Sequence, residues 1–214
     1  MVNKLNYSDK SLFDHLKELF PICRSITGDG ISLSLSYFEK YHKEYQRLEF
    51  KTGEKIFDWV VPLEWNIKDA YIENLKTKER FAEFKKNNLH IVGYSVPINK
   101  TLDLDEFSER IHIHKDNKYL IPYVTSYYKK YWGFCMSKKE KDSLKKGLYK
   151  VFINSTLKKG KLNLSHAIIK GNSTKEILFS SYLCHPSMAN NELSGPVVLN
   201  ALLDYIKTNY KKRK

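Results

Sequence analysis

The 214-residue sequence is short of the residues that break or staple chains, with 9 Gly, 6 Pro and 3 Cys. So little Gly and Pro excludes collagen and Pro/Gly-rich disorder, and 14% aromatic residues exclude a chain too polar to bury a core. Cys23, Cys135 and Cys184 are odd in number, widely spaced and outside any CxxC pattern. That argues against a disulfide framework and for reduced thiols in a reducing compartment. No apolar run nears the ~20 residues of a membrane span, and Met1–Tyr7 lacks the apolar heart of a signal peptide. A cytoplasmic location without a membrane partner is therefore expected. Acidic charge is also scarce: 24 Asp+Glu face 37 Lys+Arg, for a net +13. The excess is mostly Lys and is spread along the chain, from Lys138-Lys139, Lys145-Lys146 and Lys158-Lys159 to Lys211–Lys214. Without one basic face or a recognisable module, it argues against nucleic acid as a partner.

What is present suits one large domain, or one domain carrying an insertion, with enough length for a proper core. Leu12, Phe13, Leu16, Leu19 and Phe20 recur at helical spacing behind the capping residue Ser11, and Ile31, Leu35, Phe38, Tyr41 and Tyr45 mark a second helix. From Leu48 the pattern shortens to strand-like runs, including Ile56–Val61, Ala70–Ile72 and His90–Val96, so a compact β-rich region is expected over 48–120. Asp103 with Glu106, and Ser137 with Glu140, have capping-box spacing. Tyr149–Asn154 and Leu162–Ile169 read as a hairpin about Lys158–Lys161. The chain then offers a βα unit: the apolar run Ile177–Cys184, a polar loop from His185 to Ser194, and a helix over Pro196–Tyr210.

The chemistry is concentrated in that last unit. His185 stands where a strand is expected to end, and Pro186 biases it toward extended backbone, which places the imidazole at the carboxyl edge of a sheet. The helix after Ser194-Gly195-Pro196 directs its N-terminus back at the loop, favouring anionic or metal-bound ligands. Neutral imidazole is the commonest metal ligand, and Asn190, Asn191 and Glu192 bring oxygen donors to the same loop. Consecutive side chains of an extended segment point apart, so Cys184 and His185 are not expected to meet as nucleophile and base. His112 and His114 read as surface histidines, and the aromatic segment from Tyr127 to Phe134 as core packing. Arg24, Ser25 and Thr27 form a donor-rich loop that either binds a substrate carboxylate or satisfies backbone groups in a turn.

The segments Phe20–Gly30, Asp58–Trp65, Asn87–Ser95, Ile121–Tyr128, Trp132–Cys135 and Cys184–Asn190, in this order, resemble the bacterial aminopeptidase-like domain family. That family is related to zinc-dependent exopeptidases of the leucyl-aminopeptidase type and is often encoded among surface-polysaccharide biosynthesis genes. The resemblance implies an α/β, zinc-exopeptidase-like core over 1–47 and 121–214, incomplete at its C-terminus, with a β-rich domain inserted at 48–120. It implies zinc as cofactor, with His185 matching the first ligand and Asn191 standing three residues before Ser194, where these exopeptidases place a metal-bridging aspartate. Ser187 stands where their His-x-Asp motif would put the aspartate that orients the histidine. Arg24, Asn190 and Glu192 become substrate-binding candidates for a peptide-like or amino-sugar ligand. The family's general base and remaining ligands lie beyond the last helix here, so a truncated hydrolase is one expectation, completed by a second copy or a C-terminal fragment. A non-catalytic binding or accessory module in glycan assembly is the other.

Overall fold

The structure is a computed structural model that describes residues 6–210. The start Met1–Leu5 and the basic end Lys211–Lys214 lie outside the described residues. Among the described residues the α-helices are α1 (Leu12–Leu19), α2 (Asp29–Glu39), α3 (Leu104–Phe107), α4 (Lys138–Ser143) and α5 (Ser194–Tyr210). The strands are β1 (Gln46–Lys51), β2 (Lys55–Ile56), β3 (Trp59–Val60), β4 (Glu64–Asn74), β5 (Arg80–Phe81), β6 (Ile98–Asp103), β7 (Ile111–His112), β8 (Phe134–Cys135), β9 (Leu148–Lys158) and β10 (Lys161–His166). The chain is a mixed helix and strand protein with small sheets. It groups into two compact units, residues 1–61 with 160–214, and residues 62–159.

The first unit holds the helices that carry the candidate chemistry. Ser11 accepts a hydrogen bond from the Asp14 backbone and opens α1 as its spacing predicts. The apolar stripe of that helix is only partly covered: Leu19 is buried, while Leu12, Phe13 and Phe20 stay exposed. Tyr7, Leu19, Phe38, Tyr41, Leu193 and Val197 form the core cluster, joining α1, α2 and α5. His15 is buried in it, stacked on Tyr7 with ring centroids 3.7 Å apart. Its Nε2 pairs with the Tyr7 carbonyl at 2.9 Å and its Nδ1 with the Tyr37 hydroxyl at 2.7 Å, the pattern of a neutral ring donating through Nε2. Helix α2 stops at Glu39, six residues short of Tyr45, as the Tyr41 amide bonds back to Phe38 and tightens the last turn.

Four strand expectations are revised, three of them outside the second unit's own sheet. The Ile56–Val61 run is not one strand but the short hairpin β2–β3, turning at Phe57, whose φ is 56°. Strand β10 does not fold back on β9; it pairs antiparallel with β1, from Gln46 opposite His166 to Lys51 opposite Lys161. Both edges of β9 are already taken, since it is a central strand of the sheet ordered β5-β4-β9-β6. The Ile177–Cys184 run forms no ladder, because no described strand lies beside it, and Ile177 and Leu178 are more than four-fifths exposed.

The second unit is built on that four-stranded antiparallel sheet. Alternating residues Tyr149, Val151, Ile153 and Ser155 of β9 turn inward, the period-2 signature of a half-buried strand. Because β9 completes the sheet begun by β4, the compact units divide at Val61/Pro62 and Lys159/Gly160. The expected strand His90–Val96 is instead a 3-10 turn, Asn88–His90, followed by isolated bridges at Ile91 and Gly93. Tyr94, at φ 64° and fully buried, breaks the pleat and stacks on Trp65. Asp103 and Glu106 form their capping box on α3. Ser137 caps α4, but the Glu140 carboxylate accepts the Ala82 amide instead of closing a box.

Candidate functional site

The site lies in the first unit, where the chain runs from Leu183 through a turn into the π-helical segment Ala189–Leu193 and then α5. Glu192 organises it. Leu193 is fully buried in the core cluster, which turns the preceding Glu192 inward until it is 1% exposed. Its Oε1 accepts the His185 amide at 2.8 Å and the Cys184 amide as well, and its Oε2 sits 2.8 Å from His185 Nδ1. Two successive amides on one oxygen cannot occur in a pleated strand, where they alternate sides. They form an anion-binding nest instead.

This local geometry changes the expectation for Cys184 and His185. The two side chains do meet, with Sγ 3.2 Å from Nδ1, because the nest and Ser187 (φ 44°) turn the chain out of extended geometry. The pair is still no activated thiolate. Burial, then the Glu192 charge, push the Cys184 thiol up to about 12, so sulfur stays protonated near neutrality.

Arg24 lies beneath the turn rather than at its mouth. It is 1% exposed, and its Nη1 donates to the Leu19 carbonyl at 2.7 Å while its Nε donates to the His185 carbonyl at 3.1 Å. Burial lowers its pKa to about 10, with the Glu192 charge acting in the opposite direction. The guanidinium thus fastens the end of α1 to the backbone of His185. Gly30 lets this happen, since a Cβ there would run into the Cys23 carbonyl.

Asn190 and Asn191 are exposed. The Asn190 carbonyl accepts the Ser194 hydroxyl at 2.6 Å, and the Tyr182 hydroxyl donates to the Asn191 carbonyl at 2.7 Å with the Asn191 Oδ1 at 3.3 Å. The structure therefore brings His185 together with Glu192 and Cys184, and directs Asn191 toward Tyr182. Cys184 is the site residue that sequence reasoning set aside. Elsewhere, His112 Nε2 pairs with the Tyr131 hydroxyl and His114 Nδ1 accepts the Asp116 and Asn117 amides, so these histidines serve local structure. Phe134 of the aromatic segment is fully buried, whereas Tyr128 is 62% exposed and Tyr127, Tyr131 and Trp132 are half-buried, so core packing accounts for only part of the segment.

One ligand atom each from Cys184, His185 and Glu192 falls within 4.8 Å of the others, a group able to hold a metal ion. Sulfur, imidazole nitrogen and carboxylate oxygen together suit a borderline-soft ion such as Zn²⁺ better than Mg²⁺ or Ca²⁺, which favour all-oxygen shells. Beside the turn, Phe179, Ser181, Gly195, Val198 and Leu202 line an open groove of about 340 Å³. A Cβ at Gly195 would meet the Ser181 hydroxyl, which would have to rotate aside.

Residues 13–214 match the family described as Domain of unknown function (DUF4910). The chain is 45% identical over 205 residues to a Clostridium acetobutylicum protein named "Putative polysaccharide biosynthesis protein with aminopeptidase-like domain", covering 94% of this chain and 47% of that protein. It is similar to a crystal structure of a "putative peptidase" from Clostridium acetobutylicum, with a TM-score of 0.88 and 44% identity, covering 92% of this chain and 46% of the other. The chain spans about half the length of the relatives it matches. No helix among the described residues is long and apolar enough to cross a membrane. The matches bear out the resemblance carried by Phe20–Gly30 and Cys184–Asn190, and the chain belongs to the DUF4910 family, alongside a relative named for its aminopeptidase-like domain.

Proposed function

We propose that this chain forms part of a zinc-dependent, aminopeptidase-like hydrolase acting on a peptide-like or amino-sugar substrate in surface-polysaccharide biosynthesis. The observation that carries the reading is the cluster of Cys184, His185 and buried Glu192 beside the π turn. His185 is the proposed metal ligand, with Asn191 as the second candidate. Asn190 lines the mouth, and Arg24 serves the site by holding the His185 backbone in place. Bound zinc would supply Lewis acidity and lower the pKa of a coordinated water. The chain's own part is to orient the imidazole, place the thiol next to it and bury the carboxylate that holds both amides.

In this reading residues 1–47 and 121–214 belong to the exopeptidase-like core, 48–120 is its insertion, and the location is cytoplasmic. A catalytic zinc commonly has three protein ligands, more than His185 and Asn191 provide. A complementing C-terminal segment or a second copy supplies the rest. The exposed apolar side chains Ile177, Leu178, Val198 and Leu202 support such an association. Elemental analysis of the purified chain beside His185→Ala tests the reading, with an aminoacyl-chromogen assay on the same samples. Stoichiometric zinc that vanishes in the variant is the expected result. Metal-free, inactive wild type would overturn it in favour of a non-catalytic accessory module.

A further inference from the structure

We propose that the aromatic loop of the second unit is a docking surface for an acidic glycan, with Arg110 anchoring a uronate carboxylate and Tyr131 and Trp132 stacking against the sugar rings. The choice of a sugar chain rests on the proposed role in polysaccharide biosynthesis. Between β7 and β8, residues 113–133 run without helix or strand, apart from the bridge of Thr125 to Gly93. Loops longer than about 12–15 residues are uncommon inside a compact unit and are usually functional when ordered. Backbone bonds hold this one in shape: the Val96 amide donates to the Tyr131 carbonyl at 2.8 Å, that of Gly93 to Val124 at 2.9 Å and that of Val92 to Gly133 at 3.1 Å. Arg110 joins two of its rings. The guanidinium carbon lies 4.9 Å from the centre of the Tyr131 ring and 4.9 Å from that of Trp132, and Nη1 donates to the Trp132 carbonyl at 3.4 Å. Gly133 permits the approach, because a Cβ there would stand 2.9 Å from the Arg110 carbonyl. His112 Nε2 pairs with the Tyr131 hydroxyl at 2.9 Å and steadies that ring. Both rings are only half-buried, so part of each meets solvent. The charge around them is one-sided: residues 113–133 carry Lys115, Lys118, Lys129 and Lys130 against a single acid, Asp116. Among the described residues, no carboxylate lies within ion-pair range of Arg110, Lys129 or Lys130. A guanidinium stacked on rings keeps its N–H fork for a planar carboxylate, and the apolar face of a pyranose packs on an aromatic face. Nucleic acid also brings anions and flat faces, but it calls for a basic groove tracking successive phosphates, whereas the lysine excess here is spread along the chain.

Binding is tested on the full 214-residue chain by tryptophan fluorescence, Trp132 being one of three tryptophans. The probes are an oligogalacturonate, its methyl ester, which keeps the sugars and removes the charge, and a single-stranded oligonucleotide of matched charge. The acid form is expected to give a saturable change that weakens as salt is raised and disappears in Trp132→Phe. Its ester is expected to bind about 10-fold more weakly or less, and Arg110→Gln to weaken the acid form by about the same factor at an unchanged melting temperature. Replacing the exposed pair by Lys129→Gln with Lys130→Gln should cost roughly 2- to 5-fold. No saturable change, an ester that binds as well as the acid, or an oligonucleotide that binds more tightly would each overturn the proposal. An Arg110→Gln variant of wild-type affinity would overturn it too. If Arg110→Gln fails to fold, the ester and the lysine pair decide. A metal-free, inactive chain that still binds the acid form would support the docking surface and overturn the hydrolase reading alone. A zinc-loaded chain that binds no glycan would overturn the surface and leave that reading standing.

Discussion

At the residue scale the molecule turns on two buried charges of opposite sign in one small region, Arg24 and Glu192. Each answers backbone groups the other does not: Glu192 takes the Cys184 and His185 amides, Arg24 the Leu19 and His185 carbonyls. Removing one leaves the other buried with less compensation, which is costlier than either is worth alone. Arg24→Met is therefore expected to destabilise the chain by roughly 3 kcal/mol, read as a lower urea midpoint. A midpoint matching wild type would show that the His185 carbonyl finds its donor elsewhere. His185 was visible in the sequence, because a His-Pro pair between an apolar run and a polar loop is a local signal. The inward turn of Glu192 was not, since a π turn has no hydropathy period and Glu192 owes its direction to the burial of Leu193 next to it. Cys184 was discounted for a reason true of strands and false of the nest that the chain forms there.

At the element scale the helices were read well and the strand pairings poorly. Ser11, Asp103 and Ser137 each cap a helix through the hydrogen bond their spacing implies, because capping is decided within four residues. Pairing is decided by whichever edge is open, and β9 finds β4 and β6 on its two sides, leaving β10 to β1. The hairpin β2–β3 carries strain of its own. Phe57 takes a left-handed φ of 56° and is 94% exposed, so the ring gains no burial to offset the backbone cost. Phe57→Gly should raise stability by about 1 kcal/mol, a higher melting temperature being the readout. A lower melting temperature would mean that the flexibility Gly adds to the unfolded chain outweighs the strain relieved.

At the scale of the whole molecule, buried titratable groups bound the pH range of stability on both sides. Burial raises the thiols of Cys23 and Cys135 to about 12 from 9.0. Their unfolded forms release protons first as pH climbs through 9.0, so the native state is the one binding more protons and stability falls between pH 9.0 and about 12. On the acid side, burial lowers His15 and His42 below 6.5. The unfolded chain then takes up protons first, and stability present above pH 6.5 is lost as pH falls through the lowered values. Urea midpoints measured across pH should form a plateau between these limits. A midpoint still rising above pH 9.0 would contradict the assigned burial of the thiols.

The sequence by itself determined the helix starts, the free thiols, the position of His185 and the likeness to a relative named for its aminopeptidase-like domain, because each is written in neighbouring residues or in ordered motifs. The tertiary structure alone decided which strands pair, that Arg24 lies under the site, and that Glu192 rather than Ser187 faces His185. Those depend on which surfaces remain open once Leu193 and Leu19 are buried in a common core, and no local pattern encodes that competition.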